Sequence, residues 1–199
     1  MLETLNRSLL GLVVAPTDLS VGAFLFAFAL AKWAIFVIPA TLTLLWIFGD
    51  TQDRRAAFGA GLAACIALTF AGAISSVYFH PRPFMDGVAR NYLHHAVDSS
   101  FPSDHATVLF SIAWSLLFDP RRWTKRLGGA LLVLSCAVGW SRIYLGAHYP
   151  FDIAGASLLG LATACAMNQP IAIRFRDRVT DVAERAYSFP FEALGKRKS

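Results

Sequence analysis

Two short polar segments interrupt an otherwise apolar sequence, and they contain the side chains best suited to catalysis. The first is Pro102-Ser-Asp-His105, and the second runs from Ser141-Arg142 to His148-Tyr-Pro-Phe-Asp152. A third polar run, His-Pro-Arg-Pro at 80–83, lies at the edge of an earlier apolar stretch. Because burying such groups without partners is costly, we expect the three runs to meet in one site.

The first segment has the residues of a helix start. Ser103 or Asp104 can cap free backbone N–H groups, and the same groups, with the positive end of the helix dipole, form a favourable phosphate site. For Asp104 the simpler alternative is a plain N-cap. For His105 it is an interfacial histidine without a chemical role.

The second segment contains a possible nucleophile and its partner. His148 lies four residues before Asp152, so the two side chains face each other if the local chain is helical. The carboxylate would then hold the imidazole in one tautomer and leave the other ring nitrogen free to attack. The alternative is that Asp152 only complements the dipole of a new helix. A short turn would bring Arg142 to the same patch.

The stretches between the polar runs approach the roughly 20 apolar residues that cross a bilayer. The chain is 56% hydrophobic and 16% charged, whereas a soluble domain has roughly 25% charged residues. The sequence therefore predicts an all-α, polytopic membrane helical bundle of about five transmembrane helices, preceded by an amphipathic helix within residues 1–16. The predicted spans are residues 19–48, 56–78, 107–118, 127–144 and 151–167.

Basic residues are distributed unevenly between the two ends of these spans. With the N-terminus outside, thirteen of the 18 Lys and Arg residues fall on the cytoplasmic side and four on the outer side. The positive-inside rule selects this orientation, which places all three polar runs at the outer face. We divide the chain into a membrane-embedded domain, 1–170, and a basic cytoplasmic tail, 171–199. The tail is either a helix on the inner leaflet or a solvated segment.

Neither metal nor nucleic acid is expected as a partner. The net charge of +5 is explained by the membrane, because the basic residues lie between apolar spans. His94-His95 near Asp98 could suggest a metal pair, but adjacent residues seldom direct both rings to one ion. In the long loop 79–102, Arg90, His94 and His95 are instead candidates for hydrogen bonding at the mouth of a site, with a solvated loop as the alternative. The three cysteines fall inside apolar spans, where a small packing role is expected.

Together, Arg82-Pro83, Pro102-Ser-Asp-His105 and Ser141-Arg-x5-His148-x3-Asp152 resemble the three-part signature of the type 2 phosphatidic acid phosphatase (PAP2) superfamily of membrane lipid phosphatases. The run Tyr-Phe-His-Pro-Arg-Pro-Phe at 78–84 and the aspartate of the second motif are most similar to its bacitracin-resistance branch, the undecaprenyl-diphosphate phosphatases. The resemblance covers residues 19–167.

The resemblance implies a phosphatase that needs neither metal nor cofactor. His148 would form a phosphohistidine, Asp152 would orient it, and His105 would protonate the leaving oxygen and later activate water. The substrate would be a polyprenyl diphosphate of the bacterial inner membrane, hydrolysed at the outer face, which recycles the cell-wall lipid carrier and confers bacitracin resistance. The phosphoryl oxygens would be held by Arg82, Ser103 and Arg142.

Two positions depart from the family pattern. The lysine usual seven residues before the first-motif arginine is Ser75 here, and the glycine usual before the second-motif histidine is Asp104. Lys32 lies well inside an apolar span and could supply the missing cation or pair with Asp104. The alternative is a lysine that snorkels to the membrane surface.

Two other functions remain open from the sequence. One keeps the chemistry and changes the substrate to another lipid phosphate, such as phosphatidylglycerol phosphate or phosphatidic acid, or transfers the phosphoryl group to a second lipid. The other is a non-enzymatic permease subunit. The sequence makes no prediction about the oligomeric state.

Overall fold

The described part of the protein is entirely helical, which confirms the predicted fold class. The structure is a computed structural model that describes residues 1–195, with side-chain surroundings through residue 186. Within that range there is no strand. The helices are α1 (Leu2–Val13), α2 (Val21–Trp33), α3 (Val37–Phe48), α4 (Thr51–Val77), α5 (Asp104–Leu117), α6 (Arg122–Tyr144), α7 (Pro150–Met167) and α8 (Pro170–Gly195).

Four helical segments in the described chain are long and apolar enough to cross a membrane. They are Val21–Phe48, in which a 3-10 turn joins α2 to α3, and the helices α4, α6 and α7. The remaining predicted span corresponds to α5, whose 14 residues extend only about 21 Å. That is shorter than the ~30 Å hydrocarbon core. The length criterion therefore admits four spans, whereas the sequence predicted about five.

Helix α5 nevertheless runs from one end of the bundle to the other. Its first turn follows Ser103, whose hydroxyl contacts His148. The turn after its last residue places Arg121 against Asp53, at the start of α4. Five helical segments therefore run along the bundle, and the short one packs against α4, α6 and α7.

Glycines let α6 and α7 approach the backbone of α5 closely. A Cβ added at Gly128 would lie 2.6 Å from the Leu117 nitrogen, and one at Gly160 would lie 2.7 Å from the Ser111 nitrogen. Small residues allow this kind of close helix contact in membrane proteins. The helix that begins at the polar segment 102–105 is thus held on two sides. Its buried apolar residues include Ala106, Leu109, Ile112, Ala113 and Leu116.

The predicted amphipathic helix at the N-terminus is α1, and it docks on the end of the bundle. Asn6 is buried, and its side-chain oxygen accepts a hydrogen bond from the backbone N–H of Phe151, 3.0 Å away. Arg7 forms an ion pair with Asp86 at 2.6 Å. The helix is therefore part of the structure around the second polar segment, which its amphipathic pattern alone did not predict.

The basic tail begins as a helix that folds back on α4. Arg54 pairs with Glu184 at 3.0 Å, and Arg55 pairs with Asp181 at 2.8 Å. The solvated-tail alternative does not describe residues 171–186, which form part of α8. The predicted basic residues at 196–198 lie outside the described residues.

Candidate active site

The three polar runs meet at a single cavity of about 560 Å³. Its walls come from α4, the loop 79–102, the first turn of α5, the end of α6 and the turn before α7. The proximity expected from the sequence is therefore present in the fold. The predicted site residues that line it are Arg82, His95, Asp104, His105, Arg142 and His148.

His148 is buried at the back of this cavity, 2% exposed. Its Nδ1 lies 2.9 Å from the backbone oxygen of Ser100. Because a carbonyl oxygen can only accept, Nδ1 carries the proton and Nε2 has a free lone pair. Asp152 is 3.5 Å from the same Nδ1, behind the ring. The carbonyl of Ser100 thus fixes the tautomer, and Asp152 adds its charge.

The free Nε2 atom of His148 faces three donors. It lies 3.2 Å from Nη1 of Arg82, 3.4 Å from Nη2 of Arg142 and 3.2 Å from the hydroxyl of Ser103. Two guanidinium groups flanking one ring nitrogen form a strongly cationic pocket, which suits a phosphoryl group. The predicted nucleophile and the predicted phosphate ligands are therefore in contact.

The protonation state of His148 agrees with a nucleophilic role. Burial lowers its pKa to about 4, although the neighbouring Asp152 opposes the shift and both arginines reinforce it. The imidazole is therefore neutral near pH 7, as attack on phosphorus requires.

Both arginines are buried and held by backbone oxygens. Arg82 donates to Ala147 O at 3.0 Å and pairs with Asp98 at 2.6 Å. Arg142 donates to Ala31 O at 3.2 Å, while its buried Nε has no hydrogen-bond partner. Fixed guanidinium groups need little reorganisation to bind an anion, so this pocket is preorganised for phosphate.

The turn that carries His148 depends on a glycine. Gly146 has φ +74°, and a Cβ there would lie 2.7 Å from the backbone oxygen of Arg90. Only glycine accommodates both the left-handed backbone and this contact. The backbone nitrogen of His148 then lies 3.4 Å from the backbone oxygen of Arg142. This contact closes the short turn that the sequence predicted.

Ser103 and Asp104 do not act as the predicted helix cap. Ser103 occupies the N-cap position of α5 without a capping hydrogen bond from its side chain, because its hydroxyl points to His148. Asp104 is the first helical residue and lies exposed at the cavity wall, as does the half-buried His105. The alternative of a plain N-cap for Asp104 is therefore wrong, and both side chains face the space where a ligand would lie.

The auxiliary candidates separate into two groups. His95 lines the cavity and accepts a hydrogen bond from Arg142, with Nη2 and Nε2 2.5 Å apart. Burial and the neighbouring arginines lower the pKa of His95 to about 3, so its ring is a neutral acceptor. Arg90 instead lines a different cavity with Tyr92. His94 is exposed and does not line the active-site cavity.

Lys32 does not line the cavity, so it does not supply the cation that is missing at Ser75. The amino group of Lys32 lies over the rings of Phe28 and Trp33, 5.1 Å and 5.6 Å from their centroids, on the exposed surface of α2. This position favours the snorkelling alternative. Ser75 lines the cavity, and its hydroxyl donates to the backbone oxygen of Phe101 at 2.8 Å. It therefore holds the loop before Pro102 in place.

Two participants were not identified as such from the sequence. The carbonyl of Ser100 has no side-chain signature, so nothing in the residue pattern predicted it. His80 was visible as the first residue of the run 80–83, but no role was assigned to it. In the fold it is buried, and its Nδ1 lies 3.5 Å from Asp152.

Within residues 1–186, no group of three or more His, Cys, Asp or Glu side chains is arranged to hold a metal ion. In this cavity, two arginines can bind an anion beside a neutral imidazole whose orientation is fixed. A half-buried second histidine, His105, stands at the cavity wall.

Known proteins share this sequence pattern. A family model described as the PAP2 superfamily matches residues 56–175. The putative undecaprenyl-diphosphatase YbjG of Escherichia coli is 38% identical over 161 residues, which cover 81% of this chain and 80% of that protein. The undecaprenyl-diphosphatase BcrC of Bacillus subtilis is 33% identical over 171 residues, 84% of each chain.

A further relative carries a different name, and a solved structure shares the fold. The bacitracin transport permease protein BcrC of Bacillus licheniformis is 34% identical over 136 residues, 68% of this chain and 65% of that protein. The crystal structure of Aquifex aeolicus LpxE matches with a TM-score of 0.68 and 23% identity, over 81% of this chain and 93% of that one. The structural likeness supports the fold alone.

Proposed function

This chain belongs to the PAP2 superfamily, and from that premise we propose that it hydrolyses undecaprenyl diphosphate to undecaprenyl phosphate and inorganic phosphate. The observation that carries the proposal is the free Nε2 of His148 between the guanidinium groups of Arg82 and Arg142. Two relatives that cover most of the chain bear the name undecaprenyl-diphosphatase, one of them as putative, which supports this choice of substrate.

In the first step, the lone pair on Nε2 of His148 attacks the terminal phosphorus. The bond from that phosphorus to the bridging oxygen breaks, and undecaprenyl phosphate leaves with a proton from His105. Arg82, Arg142 and the Ser103 hydroxyl hold the phosphoryl oxygens, where charge accumulates in the transition state. As the imidazole gains positive charge, Asp152 stabilises it from behind.

In the second step, His105 accepts a proton from water, and the water oxygen attacks the phosphohistidine. The N–P bond breaks, inorganic phosphate leaves, and His148 is again neutral. The position of His105 supports this role, because it lines the same cavity as His148.

The position of the cavity beside α4, a helix long and apolar enough to cross a membrane, supports a lipid as the substrate. The cavity opens beside α4, whose wall there consists of small residues, and a Cβ added at Gly72 would meet nothing within 4 Å. A prenyl chain could therefore lie along α4 in the bilayer while its diphosphate reaches the arginines. The positive-inside rule supports a site on the periplasmic face of the inner membrane and a cytoplasmic α8.

The test is a panel assay of purified protein in detergent. We expect phosphate release from undecaprenyl diphosphate to exceed release from phosphatidylglycerol phosphate and phosphatidic acid. His148→Ala should abolish release and the labelled phosphoenzyme. His94→Asn is the matched control, because His94 is exposed, lies outside the cavity and has φ 51°, which asparagine tolerates. Preference for another lipid phosphate would overturn the substrate assignment.

The permease function is the second candidate, because one relative bears that name. If the protein lowers bacitracin sensitivity by recycling the lipid carrier, His148→Ala should lose protection in cells. If protection survives while the purified wild-type protein releases no phosphate, the permease function is favoured. The proposed enzyme predicts that protection and phosphatase activity disappear together.

A further inference from the structure

A second imidazole lies on the far side of Asp152 from the proposed nucleophile. One carboxylate oxygen of Asp152 is 3.5 Å from Nδ1 of His148, and the other is 3.5 Å from Nδ1 of His80. The Asp152 side chain is 1% exposed. A single buried carboxylate therefore lies between two histidines, and only one of them opens to the active-site cavity.

The hydrogen bonds of His80 define its charge. Its Nε2 lies 3.2 Å from a carboxylate oxygen of Glu3 in α1, and its Nδ1 lies 2.7 Å from the hydroxyl of Ser100. That hydroxyl is also 3.3 Å from the carbonyl of Pro81, which can only accept. This arrangement lets the hydroxyl donate to the carbonyl and accept from Nδ1–H. Both ring nitrogens of His80 are then donors, as in an imidazolium.

The surrounding charges favour the same state. Asp152 raises the pKa of His80, and Glu3 raises it further against the opposing effect of burial. The charged or titratable groups that face His80 are Glu3 from α1, Asp152 from α7 and the rings of Tyr78 and Tyr149, of which Tyr78 stacks on the imidazole and Tyr149 makes an edge contact. The two histidines beside Asp152 thus have opposite tendencies, since the pKa of His148 is lowered.

We propose that His80 is a positioning residue: held as an imidazolium by Glu3, it shares the charge of Asp152 and thereby keeps His148 neutral and ready to attack. The proposal deepens the phosphatase function given above and rests on it. His80 itself touches neither the cavity nor the phosphoryl group.

The negative charge of Asp152 acts on two histidines, His80 and His148. If Asp152 acted on His148 alone, its full negative charge would favour the protonated imidazole, which has no lone pair for phosphorus. The positive charge of His80 offsets part of that attraction and also repels a second proton on His148. The other titratable groups that face His148 are Arg82, Arg142, His95 and His105. The two arginines also disfavour a proton on its ring, and His95 is a neutral acceptor.

Helix α1 holds Glu3 in place independently of His80. Asn6 binds the first turn of α7, and Arg7 pairs with Asp86. Asp86 in turn accepts a hydrogen bond from the Tyr149 hydroxyl at 2.8 Å. Because these contacts dock the helix, the charge of Glu3 can be removed without releasing α1.

The experiment compares the pH dependence of kcat/KM for variants of the full chain, from about pH 4 to about pH 9. His80→Asn removes the charge, and we expect the acid limb to move to higher pH by roughly one unit. His80→Lys restores a positive charge and should return the limb toward the wild-type position. Glu3→Gln should shift the limb in the same direction as His80→Asn but less, and the double variant should shift it no further than His80→Asn. Asn6→Ala is the control, because it removes a docking contact of α1 but leaves the Glu3 carboxylate and its ion pair with Arg7 in place.

A uniform loss of rate at every pH in His80→Asn would overturn the proposal, because a purely structural role lowers the rate without shifting the acid limb. An acid limb that moves to lower pH would overturn it as well. If the wild-type protein hydrolyses no lipid phosphate, the proposed function fails first. The His80 proposal is then decided by NMR titration of histidine-labelled protein in micelles. A higher pKa of His148 in His80→Asn supports the charge division, and an unchanged pKa contradicts it.

Discussion

At the scale of single residues, the proposed mechanism assigns binding and proton transfer to different side chains. Arg82 and Arg142 are buried and anchored by backbone oxygens, so they can hold an anion but cannot move protons. His105 stands at the cavity wall, where it can exchange protons with a leaving group and with water. Variants at the two kinds of residue should therefore fail at different steps.

We expect His105→Asn to trap the covalent intermediate. The leaving group of the first step is a phosphate oxygen, which is a weak base and needs little protonation, whereas water needs a base in the second step. Turnover should fall by about 10² to 10⁴-fold, while labelled phosphoenzyme accumulates and is detected after a quench with detergent at alkaline pH, where the N–P bond is stable. Equal loss of phosphoenzyme and turnover would place His105 only in the first step.

The buried histidines also predict how stability depends on pH. His148 has a pKa of about 4 in the fold and about 6.5 when unfolded, so between these values the unfolded chain binds a proton that the folded chain does not. Stability should therefore fall as pH decreases from about 6.5 to about 4. His95, with a pKa of about 3, acts in the same direction.

The measurement is the thermal midpoint in detergent, followed by tryptophan fluorescence. His95→Asn/His148→Asn should flatten the decline between about pH 6.5 and about pH 4. His80 contributes in another window: its pKa is raised, so its stabilisation is present at low pH and disappears as pH rises through the raised value. If the thermal midpoint of the double variant declines with pH as steeply as that of the wild type, carboxylates determine the loss of stability in acid.

Sequence reasoning identified the residues near one another along the chain better than those far apart. The pairing of His148 with Arg142 and Asp152 followed from short spacings within residues 141–152. The contact between His80 and Glu3 joins positions that are 77 residues apart, and no local pattern encodes it. Lys32 was considered for the site because of its charge, but whether it faces protein or lipid depends on the rotation of α2, which an evenly apolar helix does not reveal.

At the scale of elements, hydropathy predicted the helices and missed how they pack. The predicted spans correspond to α2 with α3, α4, α5, α6 and α7, with ends displaced by a few residues. The 107–118 stretch could not show that a 14-residue helix suffices as a pass, because that depends on glycines in α6 and α7. The alternating charges of α8 likewise did not reveal that Asp181 and Glu184 pair with arginines of α4.

We expect Gly160→Val to displace α5 and weaken the site. Overpacking a close helix contact costs about 1 to 3 kcal/mol, and here the added carbons would meet the Ser111 backbone. Gly129→Val is the matched control on α6, because a Cβ at Gly129 meets nothing within 4 Å. Thermal midpoint and kcat should both fall for Gly160→Val and change little for Gly129→Val. Equal effects of the two variants would mean that the losses come from placing valine in a helix, and not from the close contact with α5.

At the scale of the whole molecule, the cavity reaches from the buried arginines to exposed small residues of α4. Its α4 wall contains Gly72 and Ser76, which leave space beside the first turn of α5. In the proposed function, this geometry separates the site of chemistry from the path of the lipid chain. Substitutions along the path should therefore discriminate between long and short substrates.

We expect Gly72→Phe to reduce kcat/KM for a long prenyl diphosphate by about tenfold or more, because a bulky ring would occupy the path of the chain. Release from a short, soluble phosphate ester should be almost unchanged, since the arginines and His148 are untouched. The measurement is the ratio of kcat/KM for the two substrates. A loss shared equally by both substrates would contradict this path.

The orientation of the bundle is a property of the whole chain, and it can be tested by labelling. With Cys65, Cys136 and Cys165 replaced by alanine, Val97→Cys places a thiol on the loop near the active site, where Val97 is 75% exposed. Arg178→Cys places one on the exposed face of α8. We expect a membrane-impermeant maleimide to label Val97→Cys in intact spheroplasts. Arg178→Cys should be labelled only after permeabilisation, because most Lys and Arg residues lie at the end of the bundle that carries α8, which the positive-inside rule assigns to the cytoplasm. The reverse pattern would put His148 in the cytoplasm and remove the argument for hydrolysis at the outer face.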